Sequence, residues 1–224
     1  MVATVSPPEP SSVFQTALAE WEAFAWSSRV TLERLPAPTA VARWSAALEI
    51  TVQAAAPDSA EAVFTAGAED CWGRLTLLHQ PEGDPDWEGD FRLVALIQAP
   101  IDEPSAIDPY RPLADWNRLL EQLDERQAGF RAPSGTVTAS LNQSFGGLAD
   151  RPPRQEVELR VSWTPELAAG GGLTAHLAAW QDTVVLMAGR PVEELSGGEL
   201  AAIVPGPGSP PRSGWLAPAG GLSV

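Results

Sequence analysis

The chain has 224 residues, 14 basic and 29 acidic side chains and a net charge of −15. Every basic residue is Arg, which excludes chemistry that needs a lysine amine: a Schiff base, a P-loop contact or a Ser-Lys dyad. One Cys and two His exclude an internal disulfide, a Cys₂His₂ finger and an iron–sulfur centre.

The acidic excess repels phosphate at long range, so direct contact with nucleic acid is not expected. Cys71, beside Trp72, reads as a small buried hydrophobe in a reducing compartment. The opening MVATVSPPEPSS has neither the basic nor the apolar part of a signal peptide, and no apolar run approaches the ~18 residues of a membrane span. A cytoplasmic protein without membrane contact is expected.

Residues 1–10 read as a flexible lead. Ser12 followed by Gln15 is a capping-box signal for a helix from Val13 to Trp26, with Phe14, Leu18, Trp21 and Ala25 on one buried face. From Trp44 the period changes to two: Trp44, Ala46, Leu48, Ile50 and Val52 alternate with Ser45, Ala47, Glu49, Thr51 and Gln53, a strand with one wet side. Residues 54–70 follow neither period and read as a long loop. RLTLLHQ from Arg74 and FRLVALIQA from Phe91 are apolar at nearly every position, as central strands covered on both faces would be, and PEGDPDWEGD turns between them.

A second helix is expected from Leu113 to Ala128, with Leu113, Trp116, Leu120 and Leu123 inward and Gly129 as its stop. Two strands follow, each with a dry and a polar face. Val137, Ala139 and Leu141 alternate with Thr136, Thr138, Ser140 and Asn142; Val157, Leu159, Val161 and Trp163 alternate with Glu156, Glu158, Arg160 and Ser162. A third helix runs from about Leu173 to Ala188. Residues 193–224, rich in Pro and Gly, read as a disordered tail in which Trp215 is an isolated aromatic.

Short links between strands require antiparallel pairing, and the wet strand faces confine helices chiefly to one side. The expected fold is α+β: a single domain over residues 11–192 with a mostly antiparallel sheet of about five or six strands and three helices on one face.

The segments RLTLLHQPEGDPDWEGDFRLVALIQA, PSGTVTASLNQSFGGLADRP, QEVELRVSWTPE and HLAAWQDTVVLMAGRP, in that order and spacing, resemble the actinobacterial domain of unknown function 3000 family, most clearly over residues 74–191. The resemblance implies an actinobacterial source. It implies no activity and supplies no catalytic residues.

Several constellations suggest chemistry. Asp84, Asp86, Glu88 and Gly89 imitate the first half of an EF-hand loop, but position twelve, which needs a bidentate Glu, is Ala95. No metal site is expected, and an acidic turn explains the pattern. Gly170, Gly172 and Ala175 have G-x-G-x-x-A spacing, yet TPELAA separates them from the preceding strand and no later strand offers an acidic ribose ligand. No cofactor is expected.

Glu156 and Glu158 share one strand side about 7 Å apart, a separation that suits a paired-carboxylate hydrolase if His79 or His176 joined them. Solvated cross-strand ion pairs explain the row with less, and both histidines border apolar stripes where structural roles are usual.

The feature of most interest is the connection from Gln143 to Arg154, longer than the two to five residues usual in hairpins and carrying Phe145 and Leu148 around two glycines. Phe145, Gly146, Gly147, Asp150 and Arg151 adjoin the polar strand side of Thr136, Thr138, Ser140, Asn142, Glu156 and Arg160. These groups suit recognition better than catalysis. The expected function is a non-catalytic binding or adaptor module for a protein or small ligand, with a Glu156/Glu158 acid-base or metal-assisted hydrolase as the alternative.

Overall fold

Strand alternation decides which residues meet the helices. The computed structural model describes residues 10–52, 71–101, 109–151, 153–167 and 172–189. The expected loop at 54–70, the tail, most of the lead and Gly170 lie outside them. In chain order the elements are α1 (Ser12–Ala23), β1 (Val30–Leu35), β2 (Trp44–Val52), β3 (Cys71–Asp84), β4 (Gly89–Pro100), α2 (Arg111–Glu125), β5 (Phe130–Asn142), a short 3₁₀ turn (Gly146–Leu148), β6 (Arg154–Pro165) and α3 (Gly172–Met187). The chain divides into two units, Met1–Val192 and Glu193–Val224, and every described element belongs to the first.

The fold is α+β, a six-stranded sheet in the order β1-β2-β3-β4-β6-β5 with every neighbouring pair antiparallel. Consecutive strands pair from β1 to β4. Then α2 intervenes, and β6 inserts between β4 and β5.

Three helices cover one face. Ile50, Gly73, Ile97, Leu159 and Val137 form one cross-strand row on that side, and Leu48, Leu75, Ala95, Val161 and Gly135 another. Most of these residues are fully buried, each Leu or Ile contributing about 1.5–3 kcal/mol. α3 crosses the middle of the sheet, where a Cβ on Gly73 would lie 2.6 Å from Val184 and 3.0 Å from Trp180. Close approach of helix and strand requires glycine there. At Gly135 of the edge strand a Cβ would lie 2.2 Å from the Arg160 carbonyl of β6 and 2.9 Å from the Trp116 ring of α2. The Phe14 ring of α1 stacks on Trp44, His79 and Phe91 at the other end.

One element went unread and three expectations need correction. β1 carries no sequence signal, because this edge strand is largely exposed and no burial pattern forms on it. The N-cap of α1 is Ser11, whose Oγ accepts from the Phe14 amide; Gln15 reaches back to the Pro10 carbonyl. On α2 the inner stripe is rotated: Leu113 is exposed, while Asp115 and Leu119 are buried. Arg111 bonds to Asp115 at 2.6 Å, and that pairing makes a buried carboxylate tolerable. Finally, β3 and β4 are central but covered on one face, as their exposed residues Arg74 and Val94 demonstrate.

Candidate functional site

The opposite face of the sheet carries no helix among the described residues. Its rows follow from the register. Thr51, Trp72, Gln98, Glu158 and Thr138 lie side by side across five strands. The next row is Glu49, Arg74, Leu96, Arg160 and Thr136, and the third is Ala47, Thr76, Val94, Ser162 and Ser134. Val94 is 38% exposed at the centre, between Thr76 and Ser162, with half-buried Leu96 one row away and half-buried Trp72 two rows away.

Charges on this face are largely consumed within it. Arg160 bonds to Glu158 at 2.7 Å and Arg74 to Glu49 at 2.9 Å, while Gln98 donates to Glu156 at 2.7 Å. The Arg74 guanidinium also sits 5.9 Å from the centre of the Trp72 ring, a cation–π distance. An apolar centre is thus ringed by neutralised polar groups.

One end of the face is closed. Arg92 is buried and donates to the Ala132 carbonyl, Thr164, Ser134 and Ser162 at 2.8–3.0 Å. Burial lowers its pKa below the ordinary arginine range. These bonds clamp the irregularity in β5 between Arg131 and Ser134, where Ala132 has φ +47°. The guanidinium is spent on one carbonyl of this bulge and on three hydroxyls of β5 and β6.

The recognition residues proposed from sequence fall together. Thr136 stands opposite Arg160, Thr138 opposite Glu158, Ser140 opposite Glu156 and Asn142 opposite Arg154. Beyond them the Gln143–Arg154 connection makes a single 3₁₀ turn closed by the Leu148, Ala149 and Arg151 amides on Phe145, Gly146 and Leu148 carbonyls. Phe145 is 75% exposed and Leu148 49%, so the loop does not bury its apolar residues on the sheet. A Cβ on Gly146 or Gly147 would meet nothing, and Asp150 and Arg151 are exposed. The supposed dry side of β5 is wet at this end, with Ala139 exposed and Leu141 62% so.

Residues 10–196 match the family model described as protein of unknown function (DUF3000). The chain belongs to this family. The match reaches further than residues 74–191, so α1, β1 and β2 are part of the DUF3000 domain along with the face and its loop. No curated protein and no solved structure matches the chain.

Nothing in this DUF3000 domain unites the carboxylate–histidine constellation. His79 shares its row with Trp44 and Phe91 on the helix-covered face, whereas Glu156 and Glu158 occupy the opposite face. Imidazole and carboxylate are separated by the sheet, and proton transfer needs contact or one bridging water. His79 is buried, with Nδ1 3.0 Å from the Asp90 carbonyl and Nε2 2.9 Å from the Ser11 hydroxyl. A carbonyl only accepts, so Nδ1 donates to Asp90, and the hydrogen bond between Nε2 and Ser11 pins the start of α1 to the sheet. His176, also buried, accepts from the Trp163 indole at 3.2 Å, and burial pushes its pKa down to about 4. It is neutral at physiological pH.

Among the described residues, no group of three or more His, Cys, Asp or Glu is placed to hold a metal. In the EF-hand-like turn, Asp84 accepts the Asp86 amide at 2.8 Å, an Asx turn that occupies the oxygen on its own backbone. No helix among the described residues is long and apolar enough to cross a membrane.

Sequence reasoning missed the centre of the face. Trp72, Arg74 and Thr76 in β3 and Arg92, Val94, Leu96 and Gln98 in β4 each share one parity, but the apolar members hide the alternation. Only the polar residues at even numbers betray it. A cavity of about 620 Å³ beneath α1, bordered by Glu20, Asp90, Phe91, Arg131, Glu166 and Leu173, was also invisible, since its walls come from separate elements. Glu20 is committed there to capping α3, accepting the Leu173 amide at 2.6 Å.

Proposed function

We propose that this domain is a non-catalytic binding module that receives a protein partner on the uncovered sheet face, with the Gln143–Arg154 loop engaging the partner's edge. One observation carries the reading: Val94, Leu96 and Trp72 stay partly accessible at the centre of a face whose surrounding charges are paired. An apolar centre within a polar rim is the anatomy of a protein–protein interface. The face is broad and built from strands, which suits another protein surface better than a small molecule. Paired arginines on an acidic chain make nucleic acid a poor occupant, and the lone buried Cys71 fits work in the cytoplasm.

The test uses immobilised full-length chain and lysate of the native host. Val94→Glu adds an unpaired charge to the centre of the face and should abolish retention of the partner kept by the wild type. Phe145→Ala and Arg151→Ala should weaken retention, while Val13→Ser on the helix side should not. Thermal unfolding should be nearly unchanged in all four. Equal retention by the wild type and Val94→Glu overturns the reading.

A further inference from the structure

The sheet has two edges, and they are treated differently. β1 is six residues long and carries Glu33 and Arg34. Short length and charge are the usual means of keeping a strand edge from pairing with another chain. β5 is thirteen residues long, and residues 132–149, which span most of it and much of the following loop, contain no Asp, Glu or Arg. That is the longest uncharged run in a chain of which 19% is charged.

Among the described residues, no further strand pairs with this uncharged edge. Gly135, Thr136, Thr138, Ala139, Leu141 and Asn142 are exposed. Among the described residues, residues 135–142 have no hydrogen-bond partner beyond their ladder with β6. On the outer side, alternate backbone N–H and C=O groups of these eight residues point away from the sheet. The bulge and Pro133, which has no N–H, end the pairing surface at one side, and the 3₁₀ turn ends it at the other.

We propose that this edge is a dimer seam, Gly135–Leu141 pairing antiparallel with the same strand of a second copy. Charge selects the occupant. Two chains at −15 each repel over most of their surfaces, so close approach is least opposed where neither carries charge, and the longest uncharged run of the sequence coincides with the unpaired edge. A two-fold axis places the strip against itself, and antiparallel strands satisfy that symmetry without further fitting. The pairing adds about eight backbone hydrogen bonds. Centred on Thr138, it brings the exposed Leu141 opposite the second copy's Gly135, beside the Trp116 ring that borders that glycine. The two sheets become one, with a continuous open face.

The seam is independent of the face reading, and its test is mass rather than capture. Sedimentation equilibrium of the full chain should give twice 23.7 kDa at tens of micromolar. Thr138→Glu, which opposes two carboxylates at the axis, and Leu141→Glu should each halve the mass while leaving thermal unfolding in place. Thr138→Cys should form a covalent dimer under mild oxidation, because directly opposed residues lie about 4.5–5.5 Å apart and native Cys71 is buried. A monomeric wild type overturns the seam even if Val94→Glu abolishes partner retention. So does a dimer that survives Thr138→Glu, or failure of Thr138→Cys to cross-link. A dimeric chain unaffected by Val94→Glu in partner retention overturns the face and leaves the seam.

Discussion

The two faces of this sheet are built from the same strands and alternate residue by residue, yet they answer to different physics. The helix-covered face holds Leu75, Leu77, Leu93, Ile97, Leu159 and Trp163 at almost no exposure. The other face keeps Val94 open and spends its charges on local pairs. Stability is concentrated on one side, leaving the other free to vary in chemistry at small cost to the fold.

That contrast can be broken most forcefully at Trp163. Trp163→Ala should destabilise the domain by about 3–5 kcal/mol in urea unfolding, combining a large cavity with the loss of the His176 hydrogen bond. A loss below about 1 kcal/mol would mean the covered face is not the core.

The next effect is tied to pH. The His176 pKa is about 4 in the folded chain, below the ordinary 6.5, so the folded state takes up its proton less readily than the unfolded one. Its stabilising contribution is full above pH 6.5 and declines as pH falls toward 4, by about 1.4 kcal/mol per unit. Asp182, raised by burial despite Arg126, acts in the opposite sense at the acid end. Urea midpoints of the wild type and His176→Gln between pH 7 and 4.5 isolate the histidine; equal slopes would refute its assignment.

Gly73→Ala should cost about 1–3 kcal/mol, since the added methyl meets Val184 at 2.6 Å on the covered side. Neighbouring changes on the other side sharpen the comparison: Thr76→Val and Thr138→Ala should each stay within about 0.5 kcal/mol. A Thr138→Ala loss as large as that of Gly73→Ala would show that the open face bears load.

Much of the architecture was legible because periodicity follows burial. Ile50, Val52, Leu159 and Val161 announced their face, whereas the second helix stops short of the expected Gly129, at Arg126, with Gln127 turning the chain at φ +55°. β1 could not be read, since Val30–Leu35 buries too little to leave a pattern. Leu113 and Asp115 exchanged roles on α2 because Arg111 neutralises the inward carboxylate, a pairwise effect no hydropathy period contains. The polar row of Thr136, Thr138, Glu158 and Arg160 was visible from alternation alone. Its apolar centre was not, because Val94 and Leu96 look like any other residues of a core strand.

The place of β6 between β4 and β5 has a consequence for synthesis. Strands β1 to β4 can assemble as soon as they are made, but the run Leu93–Ala99 on β4 waits with an unpaired hydrophobic margin until Arg154–Pro165 has been translated and threaded alongside. Nascent chains halted in that interval expose a surface prone to aggregation, and the last strand to arrive is the one that seals it.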